Sequence, residues 1–293
     1  MKKNLIILSG SPRGGEITWK SIKSNLIDPL NADLAVSYGD DYVLPDYLNS
    51  LIQYDWKFEE KENWRDYIEE FYSPKLGDFF VKGVEYGLAG IDGLKGSGAI
   101  VFSLLDIIYQ YHLDIVLKYQ NIIYTRFDQY QFMPLEHKLD ENIYIPEGED
   151  YFGINDRFIA LPNKAAKEYF SICKYIETTY SLKDYEFLNT NCVYGEHIKF
   201  LENSFTVIRS RRTMATTATS KDQTRWRKAE FNFWMKNDLK LKYPDEFMKS
   251  IKFLLEKPRP LSIYIKNLTS VIQYFIIKLK MILGNLRRKI NKS

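Results

Sequence analysis

An apolar run, a glycine-rich turn and a helical segment follow one another directly within the first 26 residues. Residues 5–8 are all aliphatic, residues 9–15 contain three glycines, and residues 18–26 have the spacing of a helix. An open α/β sheet uses this order to place a ligand at the carboxyl end of a strand. The sequence therefore predicts an α/β fold with a mostly parallel central sheet that is flanked by helices.

Later segments repeat the alternation of strand and helix. The strand-like segments are residues 32–37, 121–125, 142–146, 157–161 and 206–209. Helical periodicity predicts helices over residues 99–118 and 163–180, with Asn163 as the N-cap of the second. Short helices are expected between residues 46 and 80. With 293 residues, 45% of them hydrophobic, the chain is long enough to bury the core that such a sheet requires.

The charge of the chain is divided unevenly. The net charge is +3, but residues 257–293 carry nine basic and no acidic residues, which leaves −6 on residues 1–256. Pro258 and Pro260 interrupt the chain at this division. We therefore predict a globular domain over residues 1–256 and a basic tail over residues 257–293.

The basic tail has the pattern of an amphipathic helix. Its longest uncharged stretch, residues 267–277, is shorter than the roughly 18 residues that a membrane-spanning helix needs. A basic amphipathic helix is typical of proteins that lie on an anionic membrane surface, and we predict that partner for the tail. The apolar residues that share one helical face are Leu261, Ile265, Leu268, Ile272, Phe275, Leu279, Ile282, Leu286 and Ile290.

Two other arrangements of the tail are compatible with an amphipathic helix. In the first, the helix packs on the body of the protein or on a second subunit. In the second, the tail binds nucleic acid. Nucleic acid is not expected, because the residues of the tail that carry no charge are mostly aliphatic rather than polar.

The N-terminus and the cysteines favour a cytoplasmic protein, peripheral at the inner face of the membrane. The apolar run at residues 5–8 is shorter than the roughly 7 to 15 residues of a signal peptide. Cys173 and Cys192 are too few for a disulfide framework and are expected to be core thiols. The three histidines are scattered without metal-ligand spacing, so no histidine is assigned a function.

Two strand ends carry residues that fit a phosphorylated ligand. The turn that begins at Gly10 offers backbone N–H groups and one cation, Arg13, which together suit a diphosphate. The strand at residues 121–125 is followed by Arg126 and Asp128, which strand alternation would place on the same face. A tight turn and a local ion pair are the structural alternatives.

A third candidate lies at Asn155 and Asp156, between a glycine and an apolar strand. An amide and a carboxylate there suit sugar hydroxyls or a general base. An Asx turn is the structural alternative. A basic cluster with Arg209, followed by Arg211, Arg212, Lys221, Arg225 and Arg227, is a further phosphate-binding candidate or a solvated loop.

The order of these motifs resembles that of a family of bacterial and giant-virus glycosyltransferases that build capsular and other surface polysaccharides. The family's Gly-x-x-Arg, Thr-Arg-x-Asp and Gly-x-Asn-Asp-x-Phe motifs are matched at residues 10–13, 125–128 and 153–158. Its segments resembling Ser-Leu-x-x-Asn-Leu and Pro-x-Asn-Ala-Asp are matched at residues 21–26 and 29–33.

The resemblance implies a GT-A-like, Rossmann-related catalytic domain over residues 1–256. It implies transfer of a sugar from a nucleotide-sugar donor to a surface-polysaccharide or lipid-linked glycan acceptor. Asp128 would stabilise the leaving nucleoside diphosphate, and Asp156 would serve as general base or hydroxyl ligand. The residues implied to bind the donor are Gly10, Arg13, Arg126, Asp128, Asn155 and Arg209.

Metal dependence stays open at this point. The family's Arg-x-Asp stands where better-known transferases have a metal-binding Asp-x-Asp, so Arg126 replaces the first carboxylate. Either Asp128 holds Mg²⁺ or Mn²⁺ with help from phosphates, or Arg126 supplies the positive charge directly.

Two other functions are kept as alternatives. Residues 11–19 resemble, with one extra residue and no lysine, the phosphosulfate-binding loop of sulfotransferases. The other alternative is a membrane-associated glycan-binding protein without enzymatic activity.

Overall fold

The computed structural model describes residues 2–61, 64–74, 76–77, 97–148, 150, 153–179, 190–222 and 239–290. The strands are β1 Lys2–Ser9, β2 Asp33–Gly39, β3 Tyr54–Phe58, β4 Tyr119–Arg126, β5 Gln129–Gln131, β6 Ile143–Pro146, β7 Phe158–Pro162, β8 Val207–Ser210, β9 Met214–Ala218 and β10 Lys240–Leu241. The helices are α1 Gly15–Ile22, α2 Asp28–Leu30, α3 Asp46–Asn49, α4 Trp64–Phe71, α5 Ser97–Ile107, α6 Leu113–Val116, α7 Asn163–Phe170, α8 Ile172–Thr179, α9 Thr190–Leu201, α10 Pro244–Glu256, α11 Leu261–Lys266 and α12 Leu268–Ile290.

Seven strands form the main sheet, in the order β3-β2-β1-β4-β7-β6-β8. Strand β7 is antiparallel to both of its neighbours, and the other six strands run in one direction. The predicted α/β fold with a mostly parallel sheet is therefore confirmed. A second sheet of three strands, β10-β9-β5, and the edge strand β3 were not predicted.

Strand β1 lies in the interior of the main sheet. Its residues Leu5, Ile6, Ile7 and Leu8 are all 0% exposed, which is typical of a parallel strand covered on both faces. At its carboxyl end Ser9 lies opposite Ser37 of β2 and Arg126 of β4.

The chain divides into two compact units. The first comprises Met1–Pro12, Ile27–Phe127 and Glu136–Ser210, and it contains the seven-stranded sheet. The second comprises Arg13–Leu26, Asp128–Leu135 and Arg211–Ser293, and it contains the three-stranded sheet. Each unit has its own cluster of buried apolar side chains.

The predicted interruption before the tail is present. Helix α10 ends at Glu256, and α11 begins at Leu261 after the two prolines. The contacts group the described part of the tail with the rest of the second unit. The proposed division into functional domains at residue 257 stays a prediction.

Two of the predicted helices differ in detail. The helix predicted over residues 99–118 consists of α5, a π-helical segment Ile108–His112 and α6. The helix predicted over residues 163–180 is interrupted at Ser171 into α7 and α8. Asn163 does not cap α7, because the helix begins at Asn163 itself and Pro162 is in the N-cap position without a side-chain hydrogen bond. The Nδ2 of Asn163 donates to the carbonyl oxygens of Leu117 and Tyr119, at 3.0 and 2.6 Å. The segment before α5, residues 83–98, contains six glycines and lies mostly outside the described residues.

One helical stretch in the described ranges, Gly98–Val116, is long and apolar enough to cross a membrane by length and composition alone. Half of it is buried within the protein, where α5 packs against α4 and α8. Its Asp106 is completely buried and accepts hydrogen bonds from the hydroxyls of Tyr67 and Tyr72, at 3.1 and 2.5 Å. These contacts are those of a core helix.

Asp106 predicts a pH dependence of stability. Burial raises the pKa of its carboxyl from 3.8 to about 6. The folded state then binds this proton more tightly than the unfolded state, so the stabilisation is complete below about pH 4 and is lost as pH rises through 6. The unfolding free energy of the wild type relative to Asp106→Asn should increase by about 2–3 kcal/mol between pH 7 and pH 4, measured by urea denaturation.

His197 is a second buried group that titrates in this pH range, but its contribution to stability cancels in this comparison. Burial lowers the pKa of His197 to about 4, which removes stability as pH falls below 6.5. The wild type and the Asp106→Asn variant share this histidine, so their difference reports Asp106. A difference that stays constant with pH would contradict the account.

Candidate functional site

The main sheet has a switch point between β1 and β4. The chain adds β2 and β3 on one side of β1, and β4 on the other. In open α/β sheets the crevice outside the carboxyl ends of the strands at such a point is where ligands bind. Here those ends are formed by Ser9, followed by Gly10, and by Arg126, which lies opposite Ser9 in the ladder. The first unit therefore has a cation, Arg126, at the position where such sheets bind their ligands.

Gly10 makes the turn at this point. Its φ of 96° is in the left-handed region, which glycine adopts without steric cost. Its N–H donates to the carbonyl oxygen of Ser37, at 2.9 Å, and so extends the pairing of β1 with β2. The Gly10 N–H is therefore not free to bind phosphate, contrary to the simplest form of the sequence-based hypothesis.

A carboxylate of the protein occupies the start of α1, in the second unit. Gly14 has a φ of 91° and donates its N–H to Asp222 Oδ2, at 3.0 Å. The N–H of Thr219 donates to the same oxygen, at 2.6 Å. Asp222 thus takes the place at the helix N-terminus that the sequence analysis assigned to a ligand phosphate. Gly14 and Asp222 are 208 residues apart in the sequence, so no local sequence pattern predicts their contact.

Arg13 and Asp128 form an ion pair in the second unit. Arg13 Nη2 lies 3.6 Å from Asp128 Oδ2, and the two side chains are 23% and 2% exposed. Gln129 Nε2 is 3.4 Å from the other carboxylate oxygen. Arg13 and Asp128 therefore lie together although they are far apart in the sequence. This is not the local pair of Arg126 and Asp128 that the sequence left as an alternative, and the roles of Arg13 and Asp128 in catalysis stay predictions.

Arg126 and Asp128 are not related by strand alternation. Strand β4 ends at Arg126, and residues 127 and 128 form a turn into β5. Arg126 belongs to the first unit and Asp128 to the second. The prediction that alternation places both side chains on one face is therefore wrong, because alternation holds only within a strand.

The carboxylate of Asp128 is engaged by a cation of the protein. Mg²⁺ and Mn²⁺ prefer oxygen ligands, and Mg²⁺ is usually held by one or two carboxylates together with substrate phosphates. Among the described residues, no group of three or more His, Cys, Asp or Glu side chains converges in a way that suits a metal ion. Asp128 is buried and already faces the guanidinium of Arg13. Metal dependence therefore stays a prediction, with Arg126 as the alternative source of positive charge.

Asp150 joins two of the predicted site residues in the first unit. Arg209 Nη2 donates to both oxygens of Asp150, at 2.8 and 2.9 Å, and to the carbonyl oxygen of Pro146, at 3.0 Å. The N–H of Asn155 donates to Asp150 Oδ1 at 3.1 Å. Asp150 was not predicted as a site residue, because its role becomes visible only when β6, β7 and β8 are adjacent.

The side chain of Asn155 is used within the protein. Its Oδ1 accepts the N–H of Arg157 at 2.8 Å, and its Nδ2 donates to the carbonyl oxygen of Gly148 at 3.3 Å. The first of these contacts is an Asx turn. The geometry thus supports the structural alternative for Asn155, and its donor-binding role stays a prediction.

Asp156 is the accessible carboxylate at this edge of the sheet. It precedes β7, whose Phe158 lies opposite Thr125 of β4, so Asp156 is beside the carboxyl end of β4. Its side chain is half-buried and, among the described residues, forms no hydrogen bond or ion pair. A carboxylate in this state can accept a proton or bind a hydroxyl group.

Three buried tyrosines lie close enough to Asp156 for its charge to act on them. Burial raises the pKa values of Tyr124, Tyr169 and Tyr194, and the charge of Asp156 raises each of them further. The positive charge of Arg126 opposes the shift at Tyr124, and that of Arg209 opposes it at Tyr194. Asp156, Arg126 and Arg209 therefore act on one tyrosine cluster in the first unit.

A cavity of about 490 Å³ is lined by the carboxyl end of β2, by the segment that connects β2 to β3, and by β3. Burial and a hydrogen bond to Asp55 raise the pKa of Tyr38 in its wall to about 12. The hydroxyl of Tyr42 donates to Ser11 Oγ at 3.2 Å, which connects the cavity wall to the turn after β1. The cavity is lined by Tyr38, Asp40, Tyr42, Val43, Leu44, Asn49, Ile52, Asp55 and Lys57.

The basic cluster after Arg209 is only partly a surface feature. Arg212 is buried and pairs with the buried Glu246 at 2.9 Å, so it is a structural residue of the second unit. Arg211 lies 3.8 Å from Glu256. Arg225 and Arg227 lie outside the described residues.

Comparisons with known proteins add little. No protein-family model and no curated protein match the chain. Among solved structures it is similar to the apo-form glycosyltransferase GlyE of Streptococcus pneumoniae TIGR4, with 11% sequence identity and a TM-score of 0.37. The match covers 72% of this chain and 46% of that one, so the chain spans less than half the length of GlyE.

The ion pair between Arg13 and Asp128 can be tested by a double-mutant cycle. Because Asp128 is buried, removal of either partner leaves the other charge poorly compensated. The variants Arg13→Ala, Asp128→Ala and the double variant should give a coupling energy of about 1–2 kcal/mol in denaturant unfolding. The exposed pair of Glu16 and Lys20 is the matched control, with an expected coupling below about 0.5 kcal/mol. Additive effects of Arg13 and Asp128 would contradict the pairing.

Proposed function

We propose that the protein is a glycosyltransferase that moves a sugar from a nucleotide-sugar donor to a surface-polysaccharide or lipid-linked glycan acceptor. The observation that carries the proposal is the edge of the main sheet at its switch point. There the turn after β1 lies beside Arg126, the last residue of β4. Asp156 lies just before the neighbouring strand β7. The order of motifs along the sequence points to the same chemistry.

The cavity beside the turn after β1 suits the nucleoside of the donor. Its volume of about 490 Å³ lies within the range of small-molecule sites. Tyr42 provides an aromatic surface for a base, and Asp40 and Asp55 provide acceptors for ribose hydroxyls. The hydrogen bond between Tyr42 and Ser11 links this cavity to the switch point, where the phosphates of the donor would lie.

Positive side chains would stabilise the leaving nucleoside diphosphate. Negative charge develops on that group as the bond to the sugar breaks, and fixed cations lower the barrier at this step. Arg126 is the cation at the switch point, and Arg209, held by Asp150, is at the same edge of the sheet. Asp156 would accept the proton of the attacking acceptor hydroxyl or orient that hydroxyl.

The sulfotransferase alternative is less well supported. Its donor loop would need free N–H groups between β1 and α1, but Gly10 and Gly14 already donate theirs within the protein. A glycan-binding protein without activity would need no leaving-group cation. The presence of Arg126 beside the turn after β1 favours the transferase over this second alternative.

A donor panel tests the proposal. We expect UDP-, GDP- or dTDP-sugars to raise the melting temperature of the full chain, because a ligand that binds only the folded state stabilises it. Slow release of the nucleoside diphosphate should accompany binding. Because Asp128 already faces the guanidinium of Arg13, we expect EDTA to change donor affinity by less than about threefold. Binding of an adenosine phosphosulfate alone would support the sulfotransferase instead.

The same assay with Asp156→Asn tests the general base. Turnover should fall by about 10²-fold or more with donor affinity nearly unchanged, because the amide cannot accept the proton. Asp114→Asn is the matched control, since Asp114 is exposed and lies just before β4, at the opposite edge of the sheet. Wild-type turnover of Asp156→Asn would remove this residue from the mechanism.

A further inference from the structure

The apolar face of the C-terminal helices points to solvent. Helices α11 and α12 carry nine apolar side chains that are between 48% and 71% exposed. Five of them recur at three- or four-residue steps along α12 and so form one continuous face. The nine residues are Leu261, Ile265, Leu268, Ile272, Phe275, Leu279, Met281, Ile282 and Leu283.

The opposite face of α12 is the one that packs on the second unit. Asn267, Ser270 and Gln273 are 2%, 0% and 5% exposed, and Tyr274 and Ile277 belong to the buried apolar cluster of that unit. Asn267 Nδ2 donates to the carbonyl oxygen of Phe132 at 2.7 Å, which fixes the rotation of the helix. The helix thus turns several polar side chains inward and its aliphatic face outward. Within the described residues, packing on the body of the same protein therefore does not account for the aliphatic face.

Charge restricts what can cover this face. The tail carries nine basic and no acidic residues, among them the exposed Lys266, Lys278 and Lys280. At 3.6 residues per turn, Lys278 and Lys280 lie on either side of the apolar face. Two copies that met through this face would bring these lysines together without an acidic partner from either tail. An anionic lipid surface instead offers hydrocarbon to the face and phosphates to the lysines.

We propose that the face formed by these apolar residues other than Met281, the outward face, docks on the anionic leaflet of a membrane, with α12 lying in the plane of the interface. Long basic side chains at the border of such a face extend to the headgroups while their stems remain in apolar surroundings. This proposal does not depend on the glycosyltransferase assignment. If both hold, the attachment brings the site near a lipid-linked acceptor at the cytoplasmic leaflet.

Vesicle sedimentation of the full chain tests the docking surface. Truncation is unsuitable, because Tyr274 and Ile277 are part of the buried cluster. The wild type should sediment with vesicles that contain phosphatidylglycerol and only weakly with pure phosphatidylcholine. The double variant Phe275→Glu with Leu279→Glu should lose at least about tenfold in partitioning, because it places acidic groups in the interface. Both side chains are more than half exposed, so its melting temperature should stay unchanged.

Two further variants separate the contributions. Phe200→Glu is the matched control, since Phe200 is 45% exposed but lies on α9, outside the tail, and it should bind vesicles as the wild type does. Lys278→Gln with Lys280→Gln should lower binding to anionic vesicles by about tenfold or more and leave binding to neutral ones unchanged.

Two outcomes would overturn the proposal. One is wild-type vesicle binding by the Phe275→Glu, Leu279→Glu variant. The other is a full chain that sediments as a dimer in ultracentrifugation and becomes a monomer in that variant, which would assign the outward face to a second copy.

Discussion

The burial of β1 is the interaction on which the main sheet depends. Its four aliphatic residues are fully excluded from water, and its pairing with β2 and β4 holds together the two sides of the sheet. Because the strands on its two sides are added in opposite directions, the carboxyl end of β1 becomes the switch point. The position of Gly10, Arg126 and the cavity beside β2 and β3 follows from this one strand.

The sequence predicted what depends on local pattern. Local composition marks the strand that contains residues 5–8 and the strand before Arg126. Two prolines mark the break before residue 261. Asp150 and Asp222 were missed because each binds a group far away in the sequence, Arg209 and Gly14 respectively, and such contacts leave no local pattern. Asn155 was ambiguous for a related reason, since the same Asn-Asp pair fits an Asx turn or a binding site until the partner of its side chain is known.

The C-terminal helix shows a second limit of sequence patterns. An amphipathic sequence predicts two faces, but it does not say which face turns inward, and both packing on the body and docking elsewhere were compatible with it. Asn267 decides the rotation, because its hydrogen bond to Phe132 commits the polar side of α12 to the second unit. The aliphatic face is then exposed, and the charge of the tail restricts what can cover it.

The claim that ligands bind at the switch point of the main sheet can be tested by hydrogen–deuterium exchange of the full chain with and without a nucleotide sugar. The account predicts slower exchange in the peptides that contain the ends of β1, β2 and β4 and the start of β7. Exchange at the opposite edge, around α6 and the start of β4, should be unchanged. Protection confined to that opposite edge, with none at Gly10 or Arg126, would contradict the account.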